Sequence, residues 1–224
     1  FMRKLFTLLC LFSIAGNLFA QPQGSISGLF SISATQKVYF SQGNLQYQPS
    51  TKTWRFAEHQ WNACGKDNRY IQHGSSCSYW LDLFNWGTSG WSSGAVAYMP
   101  YSMNDNTEDY RPGGNGKNNL TGSYANADWG VYNKISNGGN KAGMWRTPTY
   151  NEWKYLINSR KNASSKWALA TVNSILGLIL LPDSWTLPNG VSFTSGSDGG
   201  FTTNTYTSSE WAKMENNGAV FLPT

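Results

Sequence analysis

Two cysteines and two histidines fall close together in the first half of the chain: His59, Cys64, His73 and Cys77. Such a set could bind a metal or close a disulfide. Thiolate ligands must converge on one centre, and nothing in the spacing places a third ligand beside Cys64 and Cys77, so no metal is assigned. With Cys10 inside an N-terminal run of secretory-signal type, the remaining pair is read instead as a disulfide, Cys64 to Cys77, worth roughly 2–4 kcal/mol. Two free thiols are the alternative. Asp105, Glu108 and Asp109 cluster in a polar stretch. They lack calcium-loop spacing and are read as a solvated acidic turn, so Ca²⁺ is unsupported and no cofactor is assigned. No Ser/His/Asp set or spaced carboxylate pair stands out, and no catalytic residue is named. The chemistry that remains is recognition. Trp91, Tyr98, Tyr101 and Tyr110 lie among Gly, Ser and Asn, where exposed aromatic faces can stack on sugar rings while amides supply hydrogen bonds.

The element that organises the chain is the run G-M-W-R-T-P-T-Y-N-E-W-K-Y-L-I from Gly143 to Ile157. Gly143 permits a positive φ, and Pro148 holds Thr147 extended. Thr149 and Glu152 have the spacing of a capping box. Behind them Trp153, Leu156 and Ile157 mark one apolar face of a helix from Tyr150 to about Arg160. Glu152 is therefore a cap and Arg146 a tie to it, while Trp145 and Trp153 are read as core.

Upstream, strands are expected at Leu29–Ser33, Lys37–Phe40, Leu45–Gln48 and Thr53–Ala57, joined as a meander with one buried face. From Cys64 to about Tyr124 regular signals fade into a long loop or insertion. Asn126–Ser136 reads as a helix ended by Gly138-Gly139. A hairpin follows, Trp167–Val172 and Ile175–Leu181, with its turn at Asn173-Ser174 and a break at Gly177. The run Leu178-Ile179-Leu180-Leu181 predicts burial on both faces. Residues 183–206 read as a second polar loop. Thr207 and Glu210 repeat the capping box before Trp211, for a helix ending near Asn217-Gly218, and a strand begins at Ala219.

The opening residues have the pattern of a secretory signal over 1–20: Arg3 and Lys4, an apolar run from Leu5 to Ile14, then Leu18-Phe19-Ala20. The apolar run is too short to span a bilayer. Its removal takes away two of the 17 basic residues and none of the 12 acidic ones, lowering the net charge from +5 to +3. No Lys/Arg cluster of the kind a phosphate backbone needs is visible in the sequence, so nucleic acid is not an expected partner. All 11 Trp and all 12 Tyr lie beyond the signal, and the whole chain holds 23 Gly, a loop-rich aromatic composition.

W-R-T-P-T-x-x-E-W-x-Y resembles the R-L-P-T-x-x-E-W-x-Y segment of formylglycine-generating-enzyme-like domains, members of the wider C-type-lectin-like fold. Ala127–Ile135 sits where that family places its first helix. Residues 29–223 are similar to exported bacterial domains of the major paralogous (FISUMP-related) group, through V-Y-F-S-Q-G-N-L-Q-Y, W-R-F-A-E, F-N-W-G-T-S-G-W, D-W-G-V-Y-N-K-I-S-N-G-G and G-A-V-F-L-P. The resemblance implies an α+β, C-type-lectin-like domain over 21–224 with short antiparallel sheets, two to three short helices and long loops. It also implies that C-terminal strands are missing, leaving the first strand with an open edge. Family oxidases carry a copper-binding cysteine pair near the end of the domain, whereas Cys64 and Cys77 lie upstream of both helices. The expectation is therefore a secreted or cell-surface module without enzymatic activity that recognises a glycan or protein ligand. The alternatives are an assembly protein that accepts a partner strand and, behind it, a formylglycine-generating-type oxidase.

Overall fold

The computed structural model describes residues 21–82, 128, 130 and 133–223. Within them the architecture is α+β, with small, mainly antiparallel sheets and a few short helices. Strands β1 (Ser25–Ser31) and β2 (Lys37–Ser41) pair antiparallel, as do β3 (Leu45–Gln48) and β4 (Thr53–Phe56). The expected meander is thus two separate ribbons, because β2 and β3 do not pair. At the corner between them the Gln42 amide donates to the Gly24 carbonyl and the Ala57 amide to that of Asn44. A Cβ on Gly43 would press on the Ala57 backbone, so this glycine lets the chain turn away there instead of folding back as a hairpin.

The centre is a four-stranded sheet in the order β7-β5-β6-β8, comprising β5 (Trp167–Val172), β6 (Ile175–Leu180), β7 (Thr205–Tyr206) and β8 (Val220–Pro223). The β5–β6 hairpin turns through Asn173 and Ser174, both with positive φ, matching the right-handed twist of the strands. Gly177 does not break β6. It pairs with Ala170, and the space a side chain would need is taken by the Phe221 ring. β7 lies within the run read as polar loop; two residues are too few for alternation to register.

Both faces of the sheet are covered, as the run through Ile179 and Leu180 requires. On one side helix α2 (Ser208–Asn216) lays Trp211 and Met214 against Ala170, Val172, Ile179 and Phe221. On the other, Ile26, Phe30, Ile32, Phe40 and Leu156 cover Leu180 and Val220. Neighbouring residues of one strand point to opposite faces, so Ile179 and Leu180, each fully buried, join different cores. Gln60, buried between α2 and β8, donates to Glu215 Oε1 at 2.9 Å and accepts from the Phe221 amide.

The helix expected over 150–160 forms as one α-turn, α1 (Tyr150–Lys154), continued by a π-turn at Tyr155–Ser159. Leu156 is fully buried, and Trp153 and Ile157 pack partly against the same core. Arg160 ends the helical run. Its buried guanidinium donates to the carbonyls of Leu156, Leu181 and Lys166 at 2.7, 2.8 and 3.2 Å, tying α1 to the hairpin. Two expectations fail locally. Within the helix expected over 126–136, Gly130 is helical, but residues 133 and 134 are irregular and Ile135 bridges Trp54 in parallel. This lets Ile135 join the cluster of Tyr47, Trp54 and Phe56 on the β3–β4 ribbon, a long-range gain that local periodicity does not register. The stretch after Cys64 is not wholly irregular, since Gly65–Ser76 is a 3₁₀ segment.

No disulfide joins Cys64 and Cys77; both are free. Cys64 lies beside Gln46, whose Nε2 is 3.5 Å from its sulfur, whereas the Cys77 carbonyl accepts from the Ser50 amide at 2.9 Å. Gln46 lies within β3 and Ser50 in the turn beyond its end, so the two cysteines meet this ribbon at different points, and a disulfide needs Cα atoms within about 7 Å. The 3₁₀ segment between the cysteines holds them apart. Among the described residues no helix is long and apolar enough to cross a membrane.

Candidate functional site

Below the W-R-T-P turn lies a cleft of about 450 Å³, within the range of small-ligand sites. The β1–β2 ribbon supplies Val38, Tyr39 and Phe40, and the second ribbon Leu45 and Phe56. Met144 to Pro148 form the opposite wall, with Glu152 and Trp153 of α1. The lining is mostly apolar and aromatic, with Asp128, Arg146 and Glu152 as its charged groups.

Local chemistry fixes this wall. Gly143, at φ 79°, turns the chain into it. The Trp145 indole donates to the Gly138 carbonyl at 2.8 Å and meets Phe56 edge-on at 4.7 Å between ring centres. Thr147 donates to the buried Asp128 through its amide and its hydroxyl, so a carboxylate anchors the turn from beneath. The Thr149 hydroxyl accepts from the Glu152 amide at 3.3 Å, and the Thr149 amide donates to Glu152 Oε2 at 2.7 Å, completing the capping box. The same carboxylate takes both arms of Arg146, at 2.7 and 2.6 Å. Arg146 beside it, and the Thr149 amide, hold the Glu152 carboxyl below its ordinary value despite partial burial. Glu152 is thus a fixed anion and Arg146 a fixed cation at the lip of the cleft.

The five motif residues picked out in the sequence, Trp145, Arg146, Thr149, Glu152 and Trp153, come together here. Trp145 and Trp153, expected in the core, are only half buried: each packs one side on a cluster and turns toward the cleft with the other. Trp211, by contrast, is fully buried. Nothing in the sequence singles out Tyr39, Met144 or Asp128. Tyr39 belongs to a strand with ordinary alternation, Met144 precedes the motif, and Asp128 falls in a run read as helix. Trp91, Tyr98, Tyr101 and Tyr110 lie outside the described residues, as do Asp105, Glu108 and Asp109.

A smaller aromatic surface lies on the 3₁₀ segment. Tyr70 and Tyr79 stack at 4.0 Å between ring centres, and Tyr79 is 45% exposed. Arg55 sits 3.7 Å over the ring of Trp80. Cys64 is not poised to react: burial and the adjacent Asp82 push its thiol pKa well up. Among the described residues no three His, Cys, Asp or Glu side chains converge as a metal set.

Comparison of the chain with models of protein families, with curated proteins and with solved structures finds no match.

Proposed function

We propose that the chain is an exported, non-enzymatic binding module on a C-type-lectin-like scaffold, and that the cleft below the W-R-T-P turn receives its ligand, a glycan or a short protein segment. The observation that carries the reading is the composition of the cleft. Aromatic and aliphatic walls surround a pre-formed Arg146–Glu152 pair whose geometry the helix cap already holds. A sugar ring offers an apolar face to Trp and Tyr and hydroxyls to a fixed ion pair, so little ordering cost remains on binding. The secretory pattern of residues 1–20 supports export. A recognition role is favoured over cysteine oxidation because Cys64 and Cys77 stand apart and the Cys64 thiol is held protonated.

An array of glycans and peptides probed with the chain tests this. Hits are expected, and Met144→Ala with Tyr39→Ala should weaken them about tenfold or more, since each removes contact area from the walls. Hits lost with Trp91→Ala and Tyr101→Ala, but indifferent to the cleft changes, would move recognition to the long aromatic stretch. An array without hits would favour the assembly reading.

A further inference from the structure

A second cavity, of about 320 Å³, shares no lining residue with the cleft. Lys37, Lys161 and Lys166 line it, with Ser31, Asn162 and Asp183. Five elements converge there: the end of β1, the start of β2, the end of the helical run, the entry to β5 and the exit from β6. Asp183 is the carboxylate of the group, and it is saturated. It accepts from the Ser31 amide at 3.2 Å and hydroxyl at 2.6 Å, pairs with Lys37 at 3.0 Å, and lies 3.7 Å from the buried Arg160 guanidinium.

The charge around it does not balance. Arg160, Lys37, Lys161 and Lys166 place four cations about one carboxylate. The Lys166 ammonium donates to the carbonyls of Pro182 and Asp183, leaving one of its three N–H groups. Lys161 is exposed and has no carboxylate partner among the described residues. Burial lowers the pKa of Lys166 first, and the neighbouring Arg160 lowers it further, against the opposing pull of Asp183. A concave site in which one sign of charge outnumbers the other concentrates counter-ions.

The donor types narrow the ligand. The Arg160 fork, which would grip a planar carboxylate, is spent on three backbone carbonyls. What remains are ammonium groups, compact charges with rotatable donors that suit a tetrahedral anion. We infer that this cavity binds a tetrahedral oxyanion, sulfate or phosphate, either free or as an ester on a sugar.

Calorimetric titration of the full chain with sodium sulfate and with sodium phosphate, in chloride of matched ionic strength, tests the site. Saturable binding is expected, weakened at least about fivefold by Lys161→Gln and retained by Lys161→Arg. Lys161 makes no structural bond among the described residues, so both variants should fold, which their thermal transitions in chloride would verify. Parallel titration with glucose 6-sulfate and glucose 6-phosphate separates the two sources: tighter binding of the sugar esters assigns an esterified ligand, equal binding a free anion, and both uphold the site. No saturable heat, or binding indifferent to Lys161→Gln, would overturn it. A rise in melting temperature with sulfate that is the same in all variants is general exclusion of that salt from protein surface and would also count against the site.

Discussion

Glu152 serves two structures with one carboxylate: it closes the cap of α1 through the Thr149 amide and anchors Arg146 on the lip of the cleft. The two roles separate by substitution. Glu152→Gln can still reach back to the cap amide but loses the ion pair, which with Arg146 half exposed is worth at most about 1 kcal/mol. Glu152→Ala loses both and should cost about 1–2 kcal/mol. A carboxyl held below its unfolded value contributes stability that is complete above the ordinary glutamate range and is lost as the pH falls through its folded pKa. The stability difference between wild type and Glu152→Gln should therefore shrink on acidification below that range; thermal unfolding of the two across pH measures it, and a difference independent of pH would refute the pairing. The cysteines give a second test at this scale. Thiol titration should find Cys64 and Cys77 both reduced, with Cys64 slow to alkylate until the chain unfolds, because burial and Asp82 keep it protonated. Failure of a reductant to change the melting temperature completes the expectation.

Among the elements, those written in local residues emerged as read. Both Thr-x-x-Glu boxes cap helices, and Asn173-Ser174 turns the hairpin, because caps and tight turns involve only neighbours in sequence. Elements that depend on distant partners did not. Ile135 leaves its helical pattern to bridge Trp54, β7 exists through its pairing with β5, and β2 and β3 separate through contacts with Gly24 and Ala57. Gly177 shows the difference within one residue: as sequence it marks a break, while in the sheet its bare Cα seats the Phe221 ring. Gly177→Ala would drive a methyl into that ring and the Leu222 carbonyl. The expected cost is about 1–3 kcal/mol, read as a lower denaturation midpoint at unchanged slope. An unchanged midpoint would mean β8 does not pack on β6 as described.

At the scale of the molecule, one sheet carries a core on each face; the core opposite α2 holds the β1–β2 ribbon and α1 in fixed relation, and the cleft is the space left between that ribbon and the W-R-T-P turn. Half of this site was legible beforehand. Trp145, Arg146, Thr149, Glu152 and Trp153 are neighbours in sequence, so their motif shows without a fold. Tyr39 and Asp128 come from elsewhere in the chain, and only the packing of Phe40 beside Trp153, and of Thr147 on Asp128, brings them in. The most direct test is a ¹⁵N-resolved NMR titration of the chain with its strongest array ligand. Shifts that saturate together at Val38–Phe40 and Met144–Trp153, with the α2 face unmoved, are the predicted result. Saturating shifts that leave both of those segments in place would show that the ligand binds elsewhere and that the cleft is not its site.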